Sequence, residues 1–312
     1  LLLENGDAIA EAINADFTAR SVQETRLVEI MPCVEHIGYV RKRLRRWMQP
    51  SRRAVGLPFQ PARAKVVYQP LGVASGGTAL VYFHGGGFVI GDLDTNDAFC
   101  RRLAASARVT VIAVTYRLAP EAKYPAQLDD AMAAVRWVID HAVDLGVRPG
   151  GLALSGDSAG GYLAIAVTAA LNAERPGTVG SQILVYPLMH IDDAIWSTTV
   201  FQDARIVGRA AVAYIRSQLH EGDLFAPSLL DQDMPRPPPT LIVTGGPMDP
   251  VRPDAKRYGE KIAAQGARLV TREFPLLPHG WTNMTHASSI ARKAVTETAE
   301  LAGAVIRGED AA

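Results

Sequence analysis

The stretch LALSGDSAGG, Leu152–Gly161, decides how this chain folds. A short apolar run, Leu152–Leu154, leads into the pattern G-x-S-x-G, and a helical run, Tyr162–Leu171, follows it. This order predicts a strand, a sharp turn and a helix, with Ser158 lifted out of the sheet at the turn. A helix N-terminus behind the serine favours negative charge that develops nearby. The stretch therefore predicts a serine nucleophile, although the pentapeptide alone also fits a helix-capping serine in a glycine turn.

Apolar runs recur in the sequence before and after this strand–turn–helix stretch. Most are continuous in Val, Ile and Leu rather than alternating, which is typical of parallel strands buried on both faces. Helical runs separate them, such as Ala131–Val143, which we expect Asp129 or Asp130 to cap. The predicted fold is therefore α/β, with a mostly parallel, doubly wound central sheet flanked by helices. The predicted strands are Lys65–Tyr68, Ala79–Phe83, Val109–Val114, Leu152–Leu154, Ile183–Tyr186, Leu241–Thr244 and Leu269–Phe274.

Two regions break the alternation of strands and helices. Residues 1–50 read as helical, beginning with apolar residues spaced three and four apart between Ala8 and Phe17. Residues 191–235, here called the cap insertion, contain no good strand and a helical stretch near Val207–Leu219. We expect these two regions to form a lid over the strand ends of a core made of residues 51–190 and 236–312.

A glycine-rich loop, His84–Phe88 with the sequence HGGGF, follows the predicted strand Ala79–Phe83. A tetrahedral oxyanion needs backbone N–H donors at close range, and glycines let the main chain approach without a Cβ clash. The loop is therefore predicted to supply such donors, together with the N–H of Ala159. An ordinary strand-end turn is the alternative. A phosphate-binding loop is disfavoured because neither GxxxxGK[ST] nor GxGxxG occurs.

A serine nucleophile needs a base, and the base needs a carboxylate that orients it. Asp249 follows the predicted strand Leu241–Thr244 directly, whereas Asp254 fits a charge in the first turn of a helix. His279 follows the last predicted strand, whereas His286 fits a solvated helix face. The predicted catalytic residues are therefore Ser158, Asp249 and His279.

Composition excludes several classes of protein. Among the 312 residues, 32 basic side chains balance 32 acidic ones, so no long-range field attracts nucleic acid or an acidic membrane. The basic cluster Arg41–Arg46 is interpreted as the solvated face of a helix rather than a nucleic-acid or membrane site. Cys33 and Cys100 lie in no metal-ligand spacing and are predicted to be reduced thiols. With no signal peptide and no apolar run of about 18 residues, we expect a soluble, cytoplasmic protein without a metal.

Six motifs in this order resemble the bacterial hormone-sensitive-lipase-like carboxylesterases, which have the α/β-hydrolase fold. Together they cover about residues 65–285. The motifs are His84–Phe88, Tyr116–Glu121, Tyr124–Ala126, Gly156–Gly161, Asp249-Pro250 and His279-Gly280.

This resemblance implies an esterase acting on short- to medium-chain esters, with a helical cap and no cofactor. It implies a small-molecule ester as substrate and oxyanion donors from Gly85, Gly86, Gly87 and Ala159. It also implies supporting roles for His84, Asp157 and Glu121, the last by hydrogen bonds to the glycine loop or the serine turn, with an ordinary surface glutamate as the alternative. Homodimers are common in the family, so a homodimer stays open.

The chain departs from the family pattern near the acid and the base. The run Asp249–Asp254 is DPVRPD, Gly246-Pro247-Met248 precedes it, and Trp281 stands where Phe is frequent. These changes are expected to reshape the acyl or alcohol pocket. Two other functions remain open: cleavage of amides or carbamates at the same site, and a catalytically silent receptor on this scaffold. A long-chain lipase is disfavoured because no strongly apolar lid segment is visible.

Overall fold

The computed structural model of the chain describes residues 5–16, 51–53, 64–66, 77–191, 208–220, 226–234 and 236–310, with scattered positions between 25 and 42. The chain divides into two compact units, residues 1–71 and 72–312.

In the first unit, helix α1 (Gly6–Asp16) confirms the helical periodicity predicted for this region. Strands β1 (Ser51–Arg53) and β2 (Ala64–Val66) pair antiparallel. The basic cluster Arg41–Arg46 lies outside the described residues except for Lys42, which is exposed.

The second unit contains a six-stranded sheet in the order β4-β3-β5-β6-β7-β8, and every neighbouring pair is parallel. This confirms the predicted parallel sheet. The central strands are buried along their whole length, as their continuous apolar sequences require. The strands are β3 (Ala79–Phe83), β4 (Thr110–Val114), β5 (Leu152–Asp157), β6 (Ser181–Val185), β7 (Thr240–Gly245) and β8 (Leu269–Phe274).

Two predicted boundaries are wrong for identifiable reasons. Strand β5 continues three residues beyond the apolar run to Asp157, because the Ser155 hydroxyl donates to the Ile183 carbonyl and is satisfied inside the sheet. Helix α3 covers Ala126–Asp140 and begins after Pro125, so neither Asp129 nor Asp130 caps it. The Asp130 carboxylate instead accepts from the backbone N–H and the guanidinium of Arg117.

The helices form layers on the two faces of the sheet. The connection from β3 to β4, which contains α2 (Asp97–Ala107), runs in one direction along the sheet, and the connection from β4 to β5, which contains α3, runs in the other. Because such connections are right-handed, the two helices lie on opposite faces of the sheet. Helix α7 packs against α2, and α4 packs against α3. The remaining helices are α5 within the cap insertion and α6 between β7 and β8. Their bounds are α2 (Asp97–Ala107), α4 (Ala159–Glu174), α5 (Arg209–Leu219), α6 (Arg252–Ala264) and α7 (Ser289–Arg307).

Within the described part of the chain, no helix is both long and apolar enough to cross a membrane. Neither Cys33 nor Cys100 forms a disulfide, and Cys100 is buried.

Candidate active site

The candidate site lies where the direction of winding in the sheet changes. The chain passes from β3 outward to β4 and then crosses back to β5, which is also a neighbour of β3. Loops that follow adjacent strands on either side of such a reversal diverge and leave a crevice at the carboxyl edge of the sheet. The glycine loop follows β3 and Ser158 follows β5, so the fold brings these two predicted parts to one crevice.

Ser158 occupies a sharp turn between β5 and α4. Its φ of 52° and ψ of −116° lie outside the regions that most residues adopt. The turn leaves no room for a side chain at the flanking positions Gly156 and Gly160, so only glycine fits there. A Cβ on Gly160 would lie 2.0 Å from the Phe83 carbonyl oxygen, and one on Gly156 would lie 2.3 Å from the Gly160 carbonyl carbon. The motif therefore encodes a strained backbone that presents the serine hydroxyl.

His279 links Ser158 to Asp249. Its Nε2 lies 2.9 Å from Ser158 Oγ, and its Nδ1 lies 2.9 Å from Asp249 Oδ1. Because a carboxylate oxygen only accepts, Nδ1 carries the proton and Nε2 is left to accept from the serine hydroxyl. His279 is almost fully buried, and the Tyr186 ring packs on it at 4.7 Å between ring centroids. The arrangement can move a proton from the serine to the imidazole.

The Asp249 side chain is fully buried and has other partners besides the histidine. Its Oδ2 accepts from the Gly245 N–H at 3.1 Å, and its Oδ1 accepts from the Val251 N–H at 3.2 Å. These backbone donors satisfy a carboxylate that burial removes from water. They also fix the carboxylate plane that faces His279.

The two rival residues lie elsewhere. Asp254 is in the first turn of α6, as predicted, and it also lies 2.9 Å from His190, a pairing that the sequence did not indicate. His286 is exposed and precedes α7, whose N-cap is Ser288. Neither touches Ser158.

Asp157 is the centre of a buried hydrogen-bond network beneath the glycine loop. Its Oδ1 accepts from the Tyr82 hydroxyl and the Gly85 N–H, each at 2.7 Å, and from Asn96 Nδ2 at 3.1 Å. The Tyr186 hydroxyl lies 3.4 Å from Oδ2 and also bonds to Thr282. Burial raises the pKa of Asp157, against the lowering effect of these hydrogen bonds. The network ties the glycine loop to the side of the site that carries His279.

The Gly85 contact corrects one prediction. The sequence places Gly85 among the oxyanion donors, but its N–H is already used by Asp157. In the described part of the chain, the N–H groups of Gly86 and Gly87 have no acceptor, and the N–H of Ala159 opens α4, where no intrahelical acceptor exists. Three candidate donors therefore remain.

A second correction concerns Glu121. Its side chain is exposed and makes no hydrogen bond to the glycine loop or the serine turn. The loop is held instead by Tyr116, whose hydroxyl donates to the His84 carbonyl at 2.7 Å, and by Ala119, whose N–H donates to the Phe88 carbonyl at 2.9 Å. Glu121 is exposed, whereas Tyr116 and Ala119 of the same segment are buried and support the loop.

His84 contacts both Tyr116 and the backbone of the glycine loop. Its ring stacks on Tyr116 with the ring centroids 4.3 Å apart, and its Nδ1 lies 2.7 Å from the Gly85 carbonyl. Sequence reasoning missed Tyr82, Asn96 and Tyr186, which complete the network around Asp157. No local motif marks them, because their roles come from contacts between residues far apart in the chain.

Helix α5 of the cap insertion contacts the site from outside the sheet. A Cβ on Gly87 would lie 2.5 Å from Ile215 Cδ1, so the Ile215 side chain fills the space beside this glycine. The end of α5 is tied down where the Tyr124 N–H donates to the Leu219 carbonyl at 2.9 Å and Lys123 Nζ donates to the Gln218 carbonyl at 2.6 Å. Cap positions 192–207, 221–225 and 235 lie outside the described residues.

Among the residues that the structure describes, no group of three or more His, Cys, Asp or Glu side chains is arranged to hold an ion.

Comparison with known proteins points to one family. The family model described as the alpha/beta hydrolase fold matches residues 80–283. Esterase LipI of Mycobacterium tuberculosis is 36% identical over 266 residues, which cover 78% of this chain and 81% of that protein.

Solved structures agree with this result. An esterase of Pyrobaculum calidifontis superposes with a TM-score of 0.69 at 26% identity, covering 96% of this chain and 93% of that one. An esterase from the bacterial hormone-sensitive lipase family superposes with a TM-score of 0.67 at 27% identity, covering 83% and 84% of the two chains.

Proposed function

This chain belongs to the α/β-hydrolase family, in its hormone-sensitive-lipase-like carboxylesterase group, and on that premise we propose that it hydrolyses short- to medium-chain carboxylic esters through an acyl-serine intermediate. The observation that carries the proposal is the continuous relay from Ser158 through His279 to Asp249, with 2.9 Å between the heavy atoms at each step. This geometry is what general-base activation of a serine requires.

The first half of the reaction forms the acyl-enzyme. Ser158 Oγ attacks the ester carbonyl carbon while its proton passes to His279 Nε2, and the carbonyl oxygen becomes an oxyanion. The N–H groups of Gly86, Gly87 and Ala159 donate to that oxyanion. Collapse of the intermediate breaks the bond to the alcohol oxygen, which takes the proton from Nε2. Asp249 holds the imidazole in the correct tautomer and offsets the positive charge that forms on it.

The second half repeats these steps with water in place of serine. His279 Nε2 accepts a proton from water as the water oxygen attacks the acyl carbon. The new oxyanion collapses, the bond to Ser158 Oγ breaks, and the serine regains its proton. The products are a carboxylic acid, an alcohol and free enzyme, so no cofactor is consumed.

The test combines turnover with labelling of the nucleophile. We expect the purified protein to hydrolyse p-nitrophenyl esters, fastest between acetate and octanoate and slowly with palmitate. We expect an alkylphosphonate p-nitrophenyl ester to release one p-nitrophenolate and to add its phosphonyl group to the Ser158 peptide, as read by mass spectrometry. Ser158→Ala is the control and should stay unlabelled. Absence of both turnover and labelling would favour the silent receptor.

The cap insertion is proposed to cover the site and limit the substrates that enter. Ile215 supports this proposal because it fills the space beside Gly87, a proposed oxyanion donor. A side chain at this place restricts the volume next to the reacting carbonyl.

We therefore expect Ile215→Ala to shift the preferred p-nitrophenyl ester toward longer acyl chains, and Ile215→Phe to shift it toward acetate. A difference of one or two methylenes in a pocket changes discrimination by about 10- to 200-fold. The measurement is kcat/KM across the ester series. Val212→Ala is the matched control, because Val212 is a buried residue of the same helix. An unchanged chain-length profile in both Ile215 variants would remove Ile215 from the pocket.

A further inference from the structure

We propose that His190 and Asp254 form a buried positioning pair that fixes the loop carrying Asp249, and that catalysis by the triad depends on this pair. The inference rests on the proposed function, because it assigns Asp249 as the acid of the triad. Among the described residues, neither member of the pair forms a hydrogen bond or ion pair with Ser158 or His279, so the pair acts through the loop of Asp249.

The pair is a short contact between two elements far apart in the sequence. His190 Nε2 lies 2.9 Å from Asp254 Oδ2, and the two side chains are only 2% and 8% exposed. The other carboxylate oxygen, Asp254 Oδ1, lies 3.3 Å from the guanidinium of Arg257, whose side chain is 63% exposed. Burying a carboxylate away from water is costly, and His190 is the buried partner that offsets the cost.

Asp254 stands at the far end of the loop that carries Asp249. At its near end, the loop is fixed to β7 and to the segment before His279, because the Gly246 N–H donates to the Leu277 carbonyl at 2.8 Å. At its far end, the loop enters α6, which begins at Arg252, and the Asp254 carboxylate of the first turn meets His190. Asp249 is thus held from both sides, and the hold on the far side includes a buried contact between two polar side chains.

His190 belongs to a segment that contacts the other two members of the triad. In this segment, which follows β6, the Tyr186 ring packs on His279, and the Leu188 N–H donates to the Ser158 carbonyl at 2.9 Å. The segment therefore meets the serine turn, the base and, through Asp254, the loop of the acid. The His190–Asp254 contact therefore holds Asp249 in a fixed position relative to Ser158 and His279.

The expected effect is on turnover and not on substrate binding. A displacement of about 1 Å in a catalytic group can cost about 10²-fold in rate. We expect Asp254→Ala to lower kcat by about 10- to 100-fold, with KM within about twofold of wild type. Asp254→Asn keeps an oxygen that accepts from His190, so it should recover most of kcat. Arg257→Ala is the matched control, because it removes only the exposed partner of the same carboxylate, and it should leave kcat unchanged.

The decisive measurement repeats the substitutions in an Asp249→Ala background. If the pair acts by placing Asp249, substituting Asp254 or both members of the pair in the Asp249→Ala variant should change kcat by less than about threefold. The reason is that the effects of residues that act as one unit are not additive. A fall of the same factor in both backgrounds would show that the pair acts elsewhere, and an unchanged kcat in Asp254→Ala would overturn the proposal.

A second variant covers the risk that Asp254→Ala fails to fold because it removes the carboxylate that meets the buried His190 side chain. His190→Leu combined with Asp254→Leu removes both polar partners, and such apolar replacements of buried pairs are often neutral or stabilising. We expect this double variant to melt near the wild-type temperature yet to show the lowered kcat, and wild-type kcat in a folded double variant would refute the inference. Wild type and Ser158→Ala are assayed beside it. An inactive wild type means that the proposed function itself fails, whereas an active wild type with unaffected pair variants means that only this inference fails.

Discussion

We expect Ser158→Ala to lower kcat for p-nitrophenyl acetate by about 10⁶, and His279→Ala by about as much, while the double variant should be no worse than either. The physical reason is that the two side chains perform one act. The imidazole Nε2, 2.9 Å from Oγ, has no proton to accept without the serine, and the serine is a weak nucleophile without the imidazole. Each single variant therefore removes the same step.

The measurement is kcat for the two single variants and the double variant on the same preparation of substrate. Residual activity of about 10³ over the uncatalysed reaction should survive in all three, because oxyanion stabilisation and binding remain. His286→Ala is the matched control, since His286 is an exposed histidine beyond the site. Additive losses in the double variant, or full activity in Ser158→Ala, would mean that serine and histidine do not act together.

Asp157→Ala is expected to give the largest loss of stability. It leaves three buried donors without their acceptor: the Tyr82 hydroxyl, the Gly85 N–H and the Asn96 amide. An unsatisfied buried donor costs about 1–3 kcal/mol, so the free energy of unfolding should fall by at least about 3 kcal/mol. The freed Gly85 N–H also loosens the glycine loop, so kcat should fall in the fraction that remains folded.

The measurement is urea unfolding, and the matched control is Asp130→Ala. Asp130 is also a carboxylate that accepts from a backbone N–H and a side chain, but it lies near the surface beside an exposed arginine. The control should cost less than about 1 kcal/mol. A comparable loss in both variants would mean that burial of the Asp157 network does not increase its contribution to the free energy of unfolding.

The same network should make the free energy of unfolding depend on pH, and the direction of this dependence follows from the pKa of Asp157. Because burial raises the pKa of Asp157, the folded protein binds a proton there at pH values where the unfolded chain has lost it. The contribution of Asp157 to stability therefore falls as pH rises from the ordinary carboxyl pKa through the raised one. Asp157→Asn cannot titrate. The difference in unfolding free energy between wild type and this variant should change in that window and stay flat above it.

Most of the fold and of the candidate site could be predicted from the sequence because their signals are local. Apolar runs identify buried strands, the glycines around Ser158 identify a turn without room for side chains, and chain order places an acid and then a histidine after later strands. Strands β3 and β8 match their predicted bounds, and the geometry joins Ser158, His279 and Asp249.

Local patterns therefore identify which residues are candidates for the chemistry and at which strand ends they lie. Packing between distant segments settles which backbone N–H groups are already used, since Gly85 donates to Asp157 across 72 positions of the chain, and it makes Tyr116 rather than Glu121 the support of the loop. It also paired His190 with Asp254, 64 positions apart. The physical reason is that hydrogen-bond partners of buried groups are set by packing between distant segments, and a sequence pattern encodes only the conformation of near neighbours.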